Sequence, residues 1–288
     1  MAIIYAFACL FFSACNDFVF KLFARKPRSR GIFISLVGVC WLLALTYPLL
    51  KAPEVTNWKA TIIWGCISGL FSLLGNILLI EGMGKQSAGV CSTIYRLNLV
   101  PVVLLAWLLL GETITLIQLL GVILALIAII GFFPNEKRVQ ATNPEEIKIL
   151  KVGFFMVVIA AFLRAGMGIS YKYGFSVGAS KDMVVFINSL FWIVGGLLYS
   201  LLREKQFAIP DKKMLGYGLS SGVLVAGIVF FMAAMLACGN ASIVLPIAQM
   251  SFLVTFVMGV LVLKEPISLR KIISLIAGVA AILVLSLS

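Results

Sequence analysis

Long apolar runs alternate along this chain with short polar stretches. Ten runs reach about 17–25 residues, the length that an α-helix needs to cross a bilayer. The sequence lacks strand-like alternation of apolar and polar positions, which argues against a transmembrane barrel. The pattern predicts an all-α polytopic membrane protein with ten transmembrane helices, near residues 2–23, 31–50, 59–80, 87–110, 113–133, 150–174, 181–202, 214–236, 241–262 and 267–287.

Composition supports this fold class and narrows the chemistry. Hydrophobic residues make up 62% of the 288 residues and charged residues only 12%, which is too apolar for a water-soluble domain. The chain has no histidine, so histidine-based catalysis and histidine metal sites are excluded. The six cysteines lie in predicted helices or within two residues of one, and are interpreted as small packing residues. We therefore expect no enzyme activity, no cofactor and no metal.

The net charge of +12 is concentrated at helix ends rather than in a soluble basic domain, so nucleic acid is not an expected partner. Odd-numbered loops hold sixteen Lys and Arg residues and even-numbered loops hold four. The positive-inside rule then places the odd loops in the cytoplasm and both termini outside. The chain is predicted to lie in the plasma (inner) membrane, with residues 134–149 forming a cytoplasmic linker.

The two halves of the chain repeat at an offset of 153 residues. Glu112 and Glu265 follow equivalent apolar helices, and charges are scarce in this sequence. Gly65-x-x-x-Gly69 recurs as Gly218-x-x-x-Gly222 at the same offset, which predicts matching close helix contacts. The pattern predicts one five-helix unit in residues 1–133 and a second in residues 150–288.

Because five is an odd number, the second unit must enter the membrane upside down. The loop charges agree with this inversion. The turn at Glu112 carries no basic residue, whereas the turn at Glu265 carries Lys264, Arg270 and Lys271. Inverted repeats around a site at mid-membrane are typical of transporters that open alternately to the two sides.

The turns after the fourth predicted helix of each unit read LLLGE at residues 108–112 and LVLKEP at residues 261–266. With the ten-helix layout, they resemble the drug/metabolite transporter superfamily, and its EamA branch in particular, over essentially the whole chain. One departure is Lys264, where the first copy keeps Gly111. The resemblance implies export or exchange of small metabolites, often amino acids, through a central cavity lined by both halves. For Glu112 and Glu265 we favour a structural role, facing the free N–H groups of a helix start.

Charged residues at membrane depth are candidate functional groups. Arg96 lies in the middle of the fourth predicted helix and Arg164 in the sixth. A guanidinium suits a carboxylate or phosphate, so both arginines are candidate substrate ligands. The alternative for Arg96 is an internal pair with Asp17 or Glu81 that only fixes helix packing.

Asp17 has two interpretations: a proton-coupling site, since burial favours the protonated form of a carboxyl group, or the counter-ion of an arginine. Pro101 and Pro246 are candidate hinges, with simple kinks as the alternative. The remaining candidate substrate contacts are polar or aromatic side chains within predicted helices: Asn16, Tyr95, Asn98, Tyr171, Asn188, Trp192 and Gln249.

The leading hypothesis is a secondary transporter of small anionic or zwitterionic metabolites that works by alternating access. A flippase for lipid or lipid-linked substrates of the same superfamily is the alternative. A membrane enzyme acting on lipid is disfavoured, because it would need a nucleophile, a base or a metal cluster near an interface. A small-molecule substrate and the lipid bilayer are the expected partners; proton coupling, and a monomer or a homodimer, stay open.

Overall fold

The computed structural model describes residues 1–46, 55–110, 113–134, 144–205, 210–238 and 241–287. Within these ranges the secondary structure is entirely helical, which confirms the predicted all-α polytopic fold. The helices are α1 Ala2–Ala24, α2 Arg30–Ala44, α3 Trp58–Lys85, α4 Ala88–Arg96, α5 Leu99–Leu110, α6 Leu116–Phe132, α7 Pro144–Ser176, α8 Lys181–Leu202, α9 Lys212–Cys238, α10 Ala241–Gln249, α11 Ser251–Leu261 and α12 Leu269–Ser286.

Eight apolar segments in the described ranges are long enough to cross a membrane, and the shorter apolar helices α2 and α6 bring the total to the ten predicted spans. Two predicted helices are each divided in two: α4 and α5 form the fourth span, and α10 and α11 form the ninth. Helix α7 begins at Pro144, so the last six residues of the predicted linker are helical. Residues 135–143 of that linker lie outside the described part of the chain.

The contacts between helices recur when each helix is replaced by its counterpart in the other half of the chain. Each of α1 to α6 corresponds to the helix six numbers later. The contact between α3 and α7 has its counterpart in the contact between α9 and α1, and that between α3 and α8 in that between α9 and α2. Helices α2 and α8 pack on each other, as do α6 and α12. This is the pairing that a duplicated unit requires.

The main apolar core lies where α2 and α8 meet α1 and α3. Trp41 and Trp192 pack edge to face there, and the Phe23 and Phe33 rings stack 4.0 Å apart. Helix α6, by contrast, exposes much of its apolar surface, including Leu120, Ile127 and Ile130. Such exposed apolar faces are expected where a helix borders lipid rather than protein.

Candidate functional site

Two of the charged residues within the predicted spans, Arg96 and Asp17, form an ion pair. Arg96 Nη2 lies 3.3 Å from Asp17 Oδ2, and the pair joins α4 to α1. Ser92, one helical turn before Arg96, donates a hydrogen bond of 2.6 Å to the same carboxylate oxygen. The Asp17 side chain is only 4% exposed and that of Arg96 12%. Glu81, the other partner considered for Arg96, instead lies 3.1 Å from Arg30.

Part of the Arg96 guanidinium makes no hydrogen bond with the described residues. Its Nε is buried and has no hydrogen-bond partner in the described residues. A buried donor without a partner costs free energy, about 1–3 kcal/mol, so the site is incomplete as it stands. Nε and one Nη form the edge of the guanidinium that binds a carboxylate with two hydrogen bonds.

Arg96 is the last residue of α4, and Gln249 is the last residue of α10 at the equivalent position. Both side chains are half-buried. Asn98 is buried in the break between α4 and α5. The sequence therefore places a polar side chain at the end of the first half-helix in each broken span, as at the discontinuous helices of transporter sites.

The two helix breaks are built alike. The backbone N–H of Leu97 is shared between the carbonyls of Thr93 and Ile94, and that of Met250 between Pro246 and Ile247, its counterparts at the 153-residue offset. The backbone angles of Leu97 and Met250 are also nearly the same. The break is thus a property of the repeated unit.

The candidate hinge residues do not occupy equivalent positions. Pro101 is the third residue of α5, where a helix loses little from the missing N–H. Pro246 lies inside α10, four residues before the break at Met250. Neither proline has a proline at its counterpart, Val254 or Thr93. The prolines flank the breaks, and their identity does not explain why both spans break at the same place.

A second polar cluster links α3, α7 and α8. Asn188 is fully buried, accepts a hydrogen bond of 2.9 Å from Ser68 Oγ, and donates one to the Tyr171 hydroxyl. Arg164 lies two helical turns before Tyr171, on the same face of α7. Its Nη1 lies 3.7 Å from Met167 Sδ, and it makes no ion pair with a described acidic residue.

Three further candidate ligands contact other protein groups. Trp192 donates through Nε1 to Ser72 Oγ at 2.9 Å, and Tyr95 is buried in the main apolar core. Asn16, next to Asp17, accepts a hydrogen bond of 2.6 Å from Ser221 on α9. Asn16 therefore contacts α9, whereas the neighbouring Asp17 contacts α4.

Sequence reasoning missed the serines that hold these polar groups. Ser68 and Ser221 are equivalent at the offset of 153, and each bonds a buried asparagine, Asn188 and Asn16 respectively. The signal was present in the chain, because the paired glycine motifs both read G-x-x-S-G. Ser92 had no such signal, since only the folded structure shows that it faces Asp17.

The paired glycines lie at close helix contacts. Gly65 and Gly69 face α8, while Gly218 and Gly222 face α2. The approach is closest at Gly222, where an added Cβ would lie 2.2 Å from the Cβ of Cys40. A larger residue there would force the two helices apart.

Glu265 joins the two halves of the protein. Its carboxylate accepts a hydrogen bond of 2.8 Å from the backbone N–H of Ala88, the first residue of α4, and lies 3.8 Å from Lys21 Nζ. The expected cap of its own following helix is supplied instead by Ser268. The carboxylate is four residues before that helix and reaches across to α4. Glu112 lies outside the described residues.

Comparisons with known proteins agree with this architecture. The model of the EamA-like transporter family matches residues 1–133 and 151–287. An uncharacterised protein of Methanocaldococcus jannaschii is 32% identical over 130 residues, 43% of this chain and 94% of that protein. An uncharacterised transporter of Methanothermobacter thermautotrophicus is 26% identical over 226 residues, 75% of this chain and 62% of its own length. A crystal structure with 15% identity aligns at a TM-score of 0.64 over 98% of this chain and 95% of its own, a likeness of fold alone.

Proposed function

Because this chain belongs to the EamA-like transporter family, a family of membrane transporters, we propose that it is a secondary transporter of small anionic or zwitterionic metabolites such as amino acids. The observation that carries the proposal is the buried pair of Arg96 and Asp17, in which Arg96 Nε has no partner among the described residues. A cationic substrate fits this site poorly, because the carboxylate is already matched by an arginine.

A zwitterion can replace the internal pair without leaving a charge unmatched. Its carboxylate takes the guanidinium of Arg96, including the free Nε, and its ammonium takes the carboxylate of Asp17. Leaving either charge alone in a buried site would be strongly unfavourable, so the substrate must supply both partners. Ser92 remains bonded to Asp17 and holds that carboxylate in place during the exchange.

For a purely anionic substrate, Asp17 is left with Ser92 alone once the substrate occupies Arg96. A substrate of this kind needs a compensating positive charge, so we include proton coupling in the proposal for it. Arg164, which lies on the same face of α7 as Tyr171, is proposed to supply a second positive region for the remainder of the substrate.

Alternating access is proposed to arise from the two repeats, mounted in opposite orientations in the plasma (inner) membrane with both termini outside. Two observations support it. The helix contacts recur between counterpart helices of the two halves, and the fourth and ninth spans break at equivalent residues, Leu97 and Met250. Equivalent breaks give both sides of the membrane the same kind of gate.

The test is uptake of radiolabelled amino acids and organic anions into liposomes that contain the purified protein. Arg96→Ala removes a charge-assisted contact of about 1.5–3 kcal/mol, so apparent substrate affinity should fall by about 10- to 150-fold. Arg203→Ala, which removes an exposed arginine outside the site, is the matched control and should leave affinity unchanged.

The proposal is wrong if folded Arg96→Ala transports as well as the unmodified protein. Parallel liposomes with fluorescent phospholipid measure the alternative. Lipid translocation that exceeds empty vesicles, with no solute uptake and no effect of Arg96→Ala, would favour a flippase.

A further inference from the structure

A basic pocket of about 590 Å³, whose lining includes neither Arg96 nor Asp17, lies where the junction of α3 and α4 meets the end of α6 and the start of α12. Four cationic side chains line it: Lys21, Lys85, Arg270 and Lys271. All four are partly buried. The same lining contains one carboxylate, Glu265, which already lies beside Lys21 and accepts from Ala88.

Lys85, Arg270 and Lys271 make no ion pair with a carboxylate of the described residues. Glu265 also attracts Lys271, so this one carboxylate serves two of the four cations. Lys271 Nζ donates to the carbonyl of Pro266 at 2.8 Å, and Arg270 Nη2 donates to that of Ile130 at the same distance. Carbonyl oxygens satisfy hydrogen bonds but cancel no charge. Helices α4 and α12 also begin at the pocket, next to Ser87 and Ser268, and so direct their positive ends toward it.

The fold contains a twin of this pocket in the other repeat. A cavity of about 210 Å³ is lined by Lys172, Thr113, Ile114, Gln118 and Leu285, among others. The equivalent residues of the larger pocket are Lys21, Pro266, Ile267, Lys271 and Phe132.

The twin differs in charge. Where the basic pocket has Arg270 and Lys271, the equivalent positions are Ile117 and Gln118. Lys172 is the one cation in the twin's described lining. The repeated architecture therefore supplies the cavity, and the extra positive charge is specific to one face of the membrane.

We propose that the basic pocket binds a phosphate group, presented by an anionic phospholipid of the adjoining leaflet. The cations and helix starts suit the phosphate, and Phe132, Phe133 and Leu150 in the same lining suit an acyl chain. The pocket borders the lipid: Ile130 and Ile273, neighbours of pocket residues, are 65% and 55% exposed. A basic pocket between spanning helices is a known type of anionic headgroup site.

The experiment compares thermal unfolding of the full-length protein in neutral detergent with added phosphatidylglycerol, phosphatidylcholine of the same chains, or inorganic phosphate. Phosphatidylglycerol should bind preferentially. Replacing Arg270 and Lys271 by the twin's residues, in Arg270→Ile/Lys271→Gln, should reduce its apparent affinity about 30-fold, from about fivefold for each cation.

Two controls keep the result interpretable. Arg270→Lys/Lys271→Arg retains the charge and should retain the preference. Lys212→Gln/Lys213→Gln removes two exposed cations that do not line the pocket, and should change affinity little. Equal binding of the two lipids, or a preference that survives Arg270→Ile/Lys271→Gln, overturns the proposal. If inorganic phosphate alone gives the full shift, the anion site stands and its assignment to a lipid is overturned.

Discussion

Trp192 is the counterpart of Trp41, 151 residues further along the chain, and the two rings pack on each other edge to face with centroids 5.4 Å apart. Lys21 and Lys172 share this spacing, so the first two spans of each repeat align at 151 rather than 153. The contact joins α2 to its own counterpart α8. The contact therefore lies at an interface between equivalent helices of the two repeats.

The two tryptophans should respond differently to loss of the indole N–H. Trp192 donates to Ser72, whereas the buried Nε1 of Trp41 has no partner among the described residues. The position equivalent to Ser72 is Val225, which offers no acceptor. Hydrogen bonds inside membrane proteins average about 0.6 kcal/mol, with a maximum near 1.7. Trp192→Phe should therefore lower the free energy of unfolding by about 1 kcal/mol more than Trp41→Phe.

The measurement is thermal or denaturant unfolding in detergent. Ser72→Ala is the control: it should add little to Trp192→Phe, because the hydrogen bond is already lost, yet act fully beside Trp41→Phe. Equal losses for both tryptophan variants would contradict the assigned hydrogen bond.

The Arg96 and Asp17 pair should be strongly non-additive in stability. Breaking a buried pair by removing one partner typically costs about 3–5 kcal/mol, because the other charge is left unmatched. We expect Arg96→Gln and Asp17→Asn each to approach this loss, and the double variant to lose much less than their sum. Unfolding of all four proteins gives the coupling energy, and a value near zero would show that the pair is not formed.

Close helix packing at Gly222 predicts a large difference between two glycines of the same helix. An added Cβ at Gly222 would lie 2.2 Å from the Cβ of Cys40, whereas one at Gly216 would meet nothing within 4 Å. Gly222→Ala should cost about 1–3 kcal/mol through overpacking. Gly216→Ala should stabilise α9 by up to about 1 kcal/mol. Melting temperatures of the two variants test this order directly.

The proposed inverted orientation predicts which loops share a side of the membrane. In a background without native cysteines, Lys212→Cys and Lys264→Cys should be labelled from the cytoplasmic side by a membrane-impermeant maleimide. Lys59→Cys and Lys181→Cys should be labelled from the other side, and all four positions are exposed. Labelling of Lys212→Cys and Lys264→Cys from opposite sides would exclude the proposed topology.

Apolar run length was sufficient to locate the spans, because crossing a bilayer demands about 20 apolar residues whatever else the chain does. Run length could not locate the breaks at Leu97 and Met250, since the apolar runs resume on both sides of the few polar residues there. Attention to Pro101 and Pro246 came within four residues of each break. The repeat was the better guide to the breaks, because they lie at equivalent residues 153 positions apart and share the same backbone hydrogen bonds.

The sequence could name the charged residues of the candidate site but could not choose their partners. Periodicity fixes which residues share a face of one helix, and it says nothing about how two helices are rotated against each other. Arg96 was therefore left with Asp17 or Glu81, and the fold shows Asp17. Glu265 is the stronger example, because its acceptor role is directed to Ala88, far away in the chain.

The hydrogen bond from Ala88 to Glu265 connects the two halves of the protein. Any motion that separates α4 from the Glu265 turn must first break the hydrogen bond between the Glu265 carboxylate and the Ala88 N–H. The start of α4 would then need another acceptor, and Lys21 would lose its nearby acid. Separating the two halves on this face therefore costs the free energy of that hydrogen bond, and a ligand that opens the face must supply it.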